Sequence, residues 1–172
     1  MQDGIWGAQP ATGGAKAEAE AVPATLEEYI FNHQSRWSAI IAALNERTKK
    51  ITDVVELQNM IYVKRQDALD YYYSLLFTIS SRARQFKKAY AARYAAYKTG
   101  YSSDPDIKIS PIKFSTEAAI KSQVESDLSD SIYWNEVMEN HAKYMLDTIK
   151  TIDGLIYAIR DRIKLEEYVN LQ

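Results

Sequence analysis

Between Pro23 and Gly100 the chain contains neither proline nor glycine. Folds made of short strands joined by tight turns draw on both residues for turn geometry, so such a span argues against them. Ala, Leu, Glu, Lys, Arg and Gln are plentiful in it, and all rank as strong helix formers. Long helices fill it comfortably. With 172 residues, 47% of them apolar, the chain has material for one packed core. The expected fold is all-α, a single helical domain over 25–172. Helices are expected at about 26–48, 53–99 and 127–168, with a connector over 100–126.

Residues 1–24 are of different composition. They are rich in Gly, Ala and Pro with little that is large, and are expected to be a disordered tail whose one anchor-like side chain is Trp6. Thr25 followed by Glu28 reads as a capping box opening the first helix, and Asp53 with Glu56 as a second. Between them the polar residues 45–50 mark a break or kink.

Two heptad seams follow. In the first, Leu69, Leu76, Ala83, Tyr90 and Tyr97 hold one position, and Tyr72, Ile79, Phe86 and Arg93 the other. Gly100 stands where a helix C-cap is expected. In the second, Met138, Ala142, Met145, Ile149, Ile152, Ile156, Ile159 and Ile163 keep spacings of four and three throughout. Isoleucine at both core positions favours assemblies larger than dimers. Met145, Ile149, Ile152, Ile156, Ile159 and Ile163 are therefore the expected oligomerisation surface of a higher-order homo-oligomer. The competing reading pairs the two seams within one chain as an antiparallel hairpin. Gly154 lies off the seam, where it could admit a neighbouring helix closely.

The second half opens with Asp104-Pro105 and Ser110-Pro111, and 107–114 could be extended. Ser126-Asp127 reads as the start of the last helix.

Catalysis finds little to work with. Cysteine is absent, which excludes disulfides and thiolate chemistry and suits a cytoplasmic location. His33 and His141 stand apart, in no metal-ligand or triad spacing, and no glycine-rich phosphate loop is present. No secretory signal is recognisable, and no apolar run approaches the ~20 residues that span a bilayer. The expectation is a protein without enzymatic activity, cofactor or membrane partner.

Charge is unevenly distributed. Residues 82–98 hold Arg82, Arg84, Lys87, Lys88, Arg93 and Lys98 without an acidic residue, interleaved with Phe86, Tyr90, Tyr94 and Tyr97. The chain totals −2, so everything outside those six cations sums to −8. Cations follow phosphates by releasing condensed counterions, and aromatic faces accept any base by stacking, which together suit single-stranded nucleic acid. The plainer reading makes the aromatics seam residues and the cations a solvated face. A membrane-surface helix is a weaker third, because the aromatics lie at seam spacing.

The run Phe86, Lys87, Lys88, Arg93, Tyr97, Lys98, Thr99, Gly100, Tyr101, Ser102, Ser103 and Asp104 resembles the UvsY family, recombination mediators of T-even and related phages. In that family a helix bearing two lysines and a further basic residue leads into Tyr-Tyr-Ser-Gly and an acidic turn. Val124, Glu125, Ser126 and Asp127 are similar to the family's extended segment ahead of its long last helix. Residues 144–168 resemble that helix, and residues 26–30 faintly resemble its first. The likeness spans roughly 66–168. It departs from the family where Tyr97-Lys98 and Thr99-Gly100 replace the paired Tyr and the Ser-Gly, and where the connector and first helices are longer.

The resemblance implies a ring-like homo-oligomer that binds single-stranded DNA. It also implies partners, a recombinase and a single-strand binding protein, the first loaded as the second is displaced. By that carry-over Lys87, Lys88, Arg93 and Lys98 are the residues expected to touch phosphate, and Tyr90, Tyr94 and Tyr97 are secondary candidates for stacking or seam packing. With Arg82 and Arg84 of the same basic window, the candidate DNA-binding residues are Arg82, Arg84, Lys87, Lys88, Tyr90, Arg93, Tyr94 and Lys98. The alternative function is a structural or assembly protein of a phage virion, such as a helical neck, scaffold or cargo component.

Overall fold

A computed structural model describes residues 25–49, 54–107, 109, 114 and 116–170. Among these the chain is all-α, with four helices and no strand: α1 Leu26–Lys49, α2 Val54–Thr99, α3 Glu117–Asp127 and α4 Ser129–Asn170. The 1–24 tail, the Asp53 cap and most of the 107–114 stretch lie outside the described residues.

α1 starts where the sequence places it. The Thr25 hydroxyl accepts the Glu28 amide at 3.1 Å, relieving one of the unpaired donors of the first turn. Ile30, Trp37 and Leu44 recur every seven residues and bury one side of α1. That side runs along α4 in the same direction. Tyr133 donates to Glu27 near one end, and Arg162 donates to the Thr48 carbonyl near the other.

α2 lies antiparallel to both. Arg65 pairs with Asp153, and the Tyr71 hydroxyl meets His141 at 2.9 Å. The core between the three helices joins Trp37 and Leu44 to Leu57, Ile61, Ala68 and Leu75, and to Met138, Met145, Ile149, Ile152, Ile156 and Ile159.

Helix length decides what remains uncovered. At 1.5 Å per residue the 24 residues of α1 reach roughly 36 Å, and the 46 residues of α2 roughly 69 Å. α1 therefore covers only the half of α2 nearer Val54. The far half packs mainly against α3, in a second cluster of Tyr97, Ile120, Val124 and Leu128 flanked by Phe86, Tyr90, Tyr94, Ile109 and Phe114, and reaches α4 through Arg82 over Trp134.

Several expectations are corrected. The 100–126 connector contains a helix, α3, which Thr116 caps by accepting the Ala119 amide at 3.2 Å. Ser126 and Asp127 close that helix instead of opening the last one. Leu128 departs from helical dihedrals, yet its amide still reaches the Val124 carbonyl and its carbonyl accepts from Ile132. α3 and α4 are thus nearly one rod, bent at Leu128.

In the central seam the deeply buried positions are Ala68 and Leu75, each one residue before the expected Leu69 and Leu76. Leu76 is exposed. A straight helix drifts relative to a strict seven-residue repeat, so the same stripe includes Tyr97 by the far end.

The isoleucine seam is corrected in its role. Met145 and Ile152 are 0% exposed within the single chain, and Ile149, Ile156 and Ile159 are also buried. Ile163 is half-buried at the edge of the same core. These six side chains pack within the chain against α1 and the first half of α2, as in the hairpin alternative, whereas Phe86, Tyr90 and Tyr97 of the central seam pack on α3 instead. A Cβ built on Gly154 would meet nothing within 4 Å, so that glycine admits no close helix.

Candidate nucleic-acid interface

α2 beyond the reach of α1 has two unlike sides, and its sequence sorts residues between them. Phe86, Tyr90, Tyr94 and Tyr97 return at intervals of four and three and, with Ala89 beside them, meet the apolar side of α3. Arg84, Lys87, Lys88 and Lys98 fall on the opposite side and are exposed, with exposed Ala91, Ala92 and Ala95 between them. Small alanines leave the cations prominent. None of the four forms an ion pair among the described residues.

The other four candidates sit elsewhere. The Arg82 guanidinium lies 4.5 Å above the ring of Trp134 on α4, a cation–π contact that ties the helices together. Arg93 is half-buried on the α3 side, where its charge opposes the rise in the Tyr97 pKa. Tyr90 and Tyr94 stack on one another with centroids 6.5 Å apart. Tyr94 donates to Glu117 at 3.0 Å. That hydrogen bond, and then the ion pair with Lys121, hold the Glu117 carboxyl below its ordinary value. Tyr97 donates to Asp127, and burial followed by that bond pushes its pKa up to about 12.

The predicted site therefore divides. Arg84, Lys87, Lys88 and Lys98 share an open face. Arg82, Arg93, Tyr90 and Tyr94 belong to the packing against α3 and α4, the two tyrosines in line with the seam-packing alternative.

Two exposed aromatics were missed. Tyr73 and Phe77 are 62% and 78% exposed, one helical turn apart, on the same side of α2 as Arg84 and Lys88. The available signal was helical phase: residues 73, 77, 84, 88, 91 and 95 share one side at 3.6 residues per turn. A second signal was the acid-free run, which extends over 71–103, well beyond the basic window.

The two histidines, far apart in sequence, meet inside the three-helix half. His33 stacks on Tyr71 at 4.7 Å, and its ring lies 6.3 Å from that of His141. Tyr71 also meets the Tyr29 hydroxyl at 3.2 Å. Tyr144 stacks on His141 and donates to the Gln34 carbonyl. His141 is 1% exposed, and its Nδ1 has no hydrogen-bond partner. Burial, then the His33 charge, lower its pKa to about 4, so it is held neutral. Such a cluster fixes the register of three helices. It presents no open surface to a substrate.

Among the described residues, no helix is long and apolar enough to cross a membrane, and no three or more potential ligands from His, Cys, Asp and Glu gather to hold a metal ion. Comparison of the chain with protein-family models, with curated proteins and with solved structures finds no match.

Proposed function

We propose that this chain is a non-enzymatic single-strand binding protein that engages DNA phosphates through Arg84, Lys87, Lys88 and Lys98. In line with the UvsY resemblance, its role is that of a recombination mediator, helping to load a recombinase onto strands covered by single-strand binding protein. One observation carries the binding reading: four cations without an ion pair among the described residues share an open helix face inside a run of sequence free of carboxylates. A structural charge network pairs its members with acids on neighbouring turns, as Lys64 and Asp67 do on the same helix. Among the described residues this face forms no such ion pairs, with Lys98 alone of the four acting on the Glu117 carboxyl through space, and a polyanion would supply the partners.

The mediator role rests on the resemblance and needs an assembly surface. With the isoleucine seam in the core, a ring would be built on another face of the protomer. Assembly would multiply modest phosphate contacts per subunit into useful avidity.

The direct test is fluorescence anisotropy of a labelled oligo-dT strand across a salt series. Affinity should fall steeply with salt. The Lys87→Ala/Lys88→Ala variant should weaken binding and lower the slope by about 1.4, at roughly 0.7 per phosphate contact on a single strand. A strand that stays free at low salt, or a slope that the variant leaves unchanged, would overturn the reading.

A further inference from the structure

We infer that Tyr73 and Phe77 form a base-stacking platform that continues the basic face of α2, so that the protein grips bases at one end of its strand track and phosphates along the rest. This rests on the proposed single-strand binding and adds to it a way to tell strands whose bases are free from those whose bases are occupied.

The two rings are among the more exposed large apolar side chains of the described residues. They lie on α2 one turn apart, so their Cβ atoms are roughly 6 Å from each other; the Tyr73 ring leans at a tilt on that of Tyr72 at 5.8 Å and is still 62% exposed. Arg84 and Lys88 follow two and three turns on, and Lys98 ends the line. From Tyr73 to Lys98 the track runs roughly 38 Å at 1.5 Å per residue. No carboxylate occurs in the sequence along it.

Isolated exposed aromatics are ordinary; aromatics in phase with an unpaired basic line are the combination used to hold single strands, because stacking tolerates any base while the cations follow the backbone. The inner tyrosines cannot take this role. Tyr90 and Tyr94 are half-buried, with Tyr94 bound to Glu117, whereas no hydrogen bond ties Tyr73 to another described residue. Duplex DNA keeps its bases stacked on each other and would meet only the cations, so the platform also makes the protein favour single strands.

The test compares an oligo-dT strand with an abasic strand of equal length and charge, each bound to the wild type and to Tyr73→Ala/Phe77→Ala. Both side chains are exposed, so the variant should fold. The wild type should prefer oligo-dT roughly tenfold, and the variant should bind both strands alike with the salt slope of the wild type. Equal wild-type affinity for the two strands would overturn the platform while leaving phosphate binding intact. So would a variant that keeps its preference, or one whose change is seen in the protein's mass by light scattering and not in strand binding. Failure of every strand to bind would overturn the proposed function and this inference together.

Discussion

The Tyr94 hydroxyl donates a hydrogen bond to the Glu117 carboxylate across the gap between α2 and α3, at 3.0 Å. The contact turns a residue that reads as a nucleic-acid ligand into part of the protein's own packing. It also brings a carboxylate to one flank of α2, which leaves the opposite flank as the positive one. Exposed cations and packed aromatics thus occupy two sides of one helix.

Arg82 and Lys88 should separate those two roles. Arg82→Ala removes the guanidinium above Trp134 and should lower stability by about 1 kcal/mol in urea denaturation, with little effect on strand affinity. Lys88→Ala should weaken strand binding and leave the unfolding midpoint unchanged. Reversed outcomes would mean that the open and packed faces have been exchanged.

The isoleucine seam belongs to the chain's own core, and that too can be measured. Ile152→Ala leaves a cavity where the side chain is 0% exposed and should cost about 2–5 kcal/mol. The cost of the substitution should be the same at every protein concentration, since it removes packing inside one chain whatever assembly another face supports. A cost that changes with concentration, or a fall in assembly mass by light scattering in the variant, would return the seam to an intersubunit role.

His141 makes stability depend on pH in a stated direction. Its pKa falls from 6.5 to about 4 on folding, so between those values the unfolded chain holds a proton that the native one refuses. The contribution is complete above pH 6.5 and is lost as pH falls through about 4, amounting to roughly 3 kcal/mol. The groups facing it are His33, Tyr71 and Tyr144. Between pH 7 and pH 4 the wild type should lose about that much more unfolding free energy than His141→Met. Parallel curves would show that the ring is not held neutral.

Two glycines should respond to alanine with opposite signs. Gly100 has a φ of +73° just beyond α2, a conformation in which a Cβ is strained, so Gly100→Ala should cost about 1 kcal/mol. Gly154 is helical with open space where a Cβ would stand, and Gly154→Ala should gain about 1 kcal/mol. Thermal melts of the two variants should move in opposite directions.

The long helices were legible because their signals are local: the Thr25 cap, the absence of Gly and Pro before Gly100, and the regular return of isoleucine along α4. The partner of each apolar seam was not. Two seams that meet within a chain obey the same heptad rule as two that meet between chains, and nothing in Ile149 or Ile156 tells the cases apart. α3 escaped notice because it is short, its Thr116 cap has Ala119 and not Glu or Gln at the third helical position, and Ser126-Asp127 imitates a helix start. Of the candidate site, charge could be read from composition. Which cations face outward depended on where α3 lies, and so the division of Arg82 and Arg93 from Arg84, Lys87, Lys88 and Lys98 awaited the fold.

The bend at Leu128 marks the boundary between two halves of unequal thickness. On one side three helices share a core that includes Ile61, Met145 and Ile152; on the other, α2 is held by the 11 residues of α3 and a few aromatic contacts. The free energy of opening is therefore graded along the molecule, and α3 can detach while the three-helix half stays folded. Amide exchange should register this as faster turnover in α3 than in the middle of α4. The least secure part of the fold is thus the part that backs the basic face, and a bound strand would be sensed there first, as slower exchange on a helix it never touches.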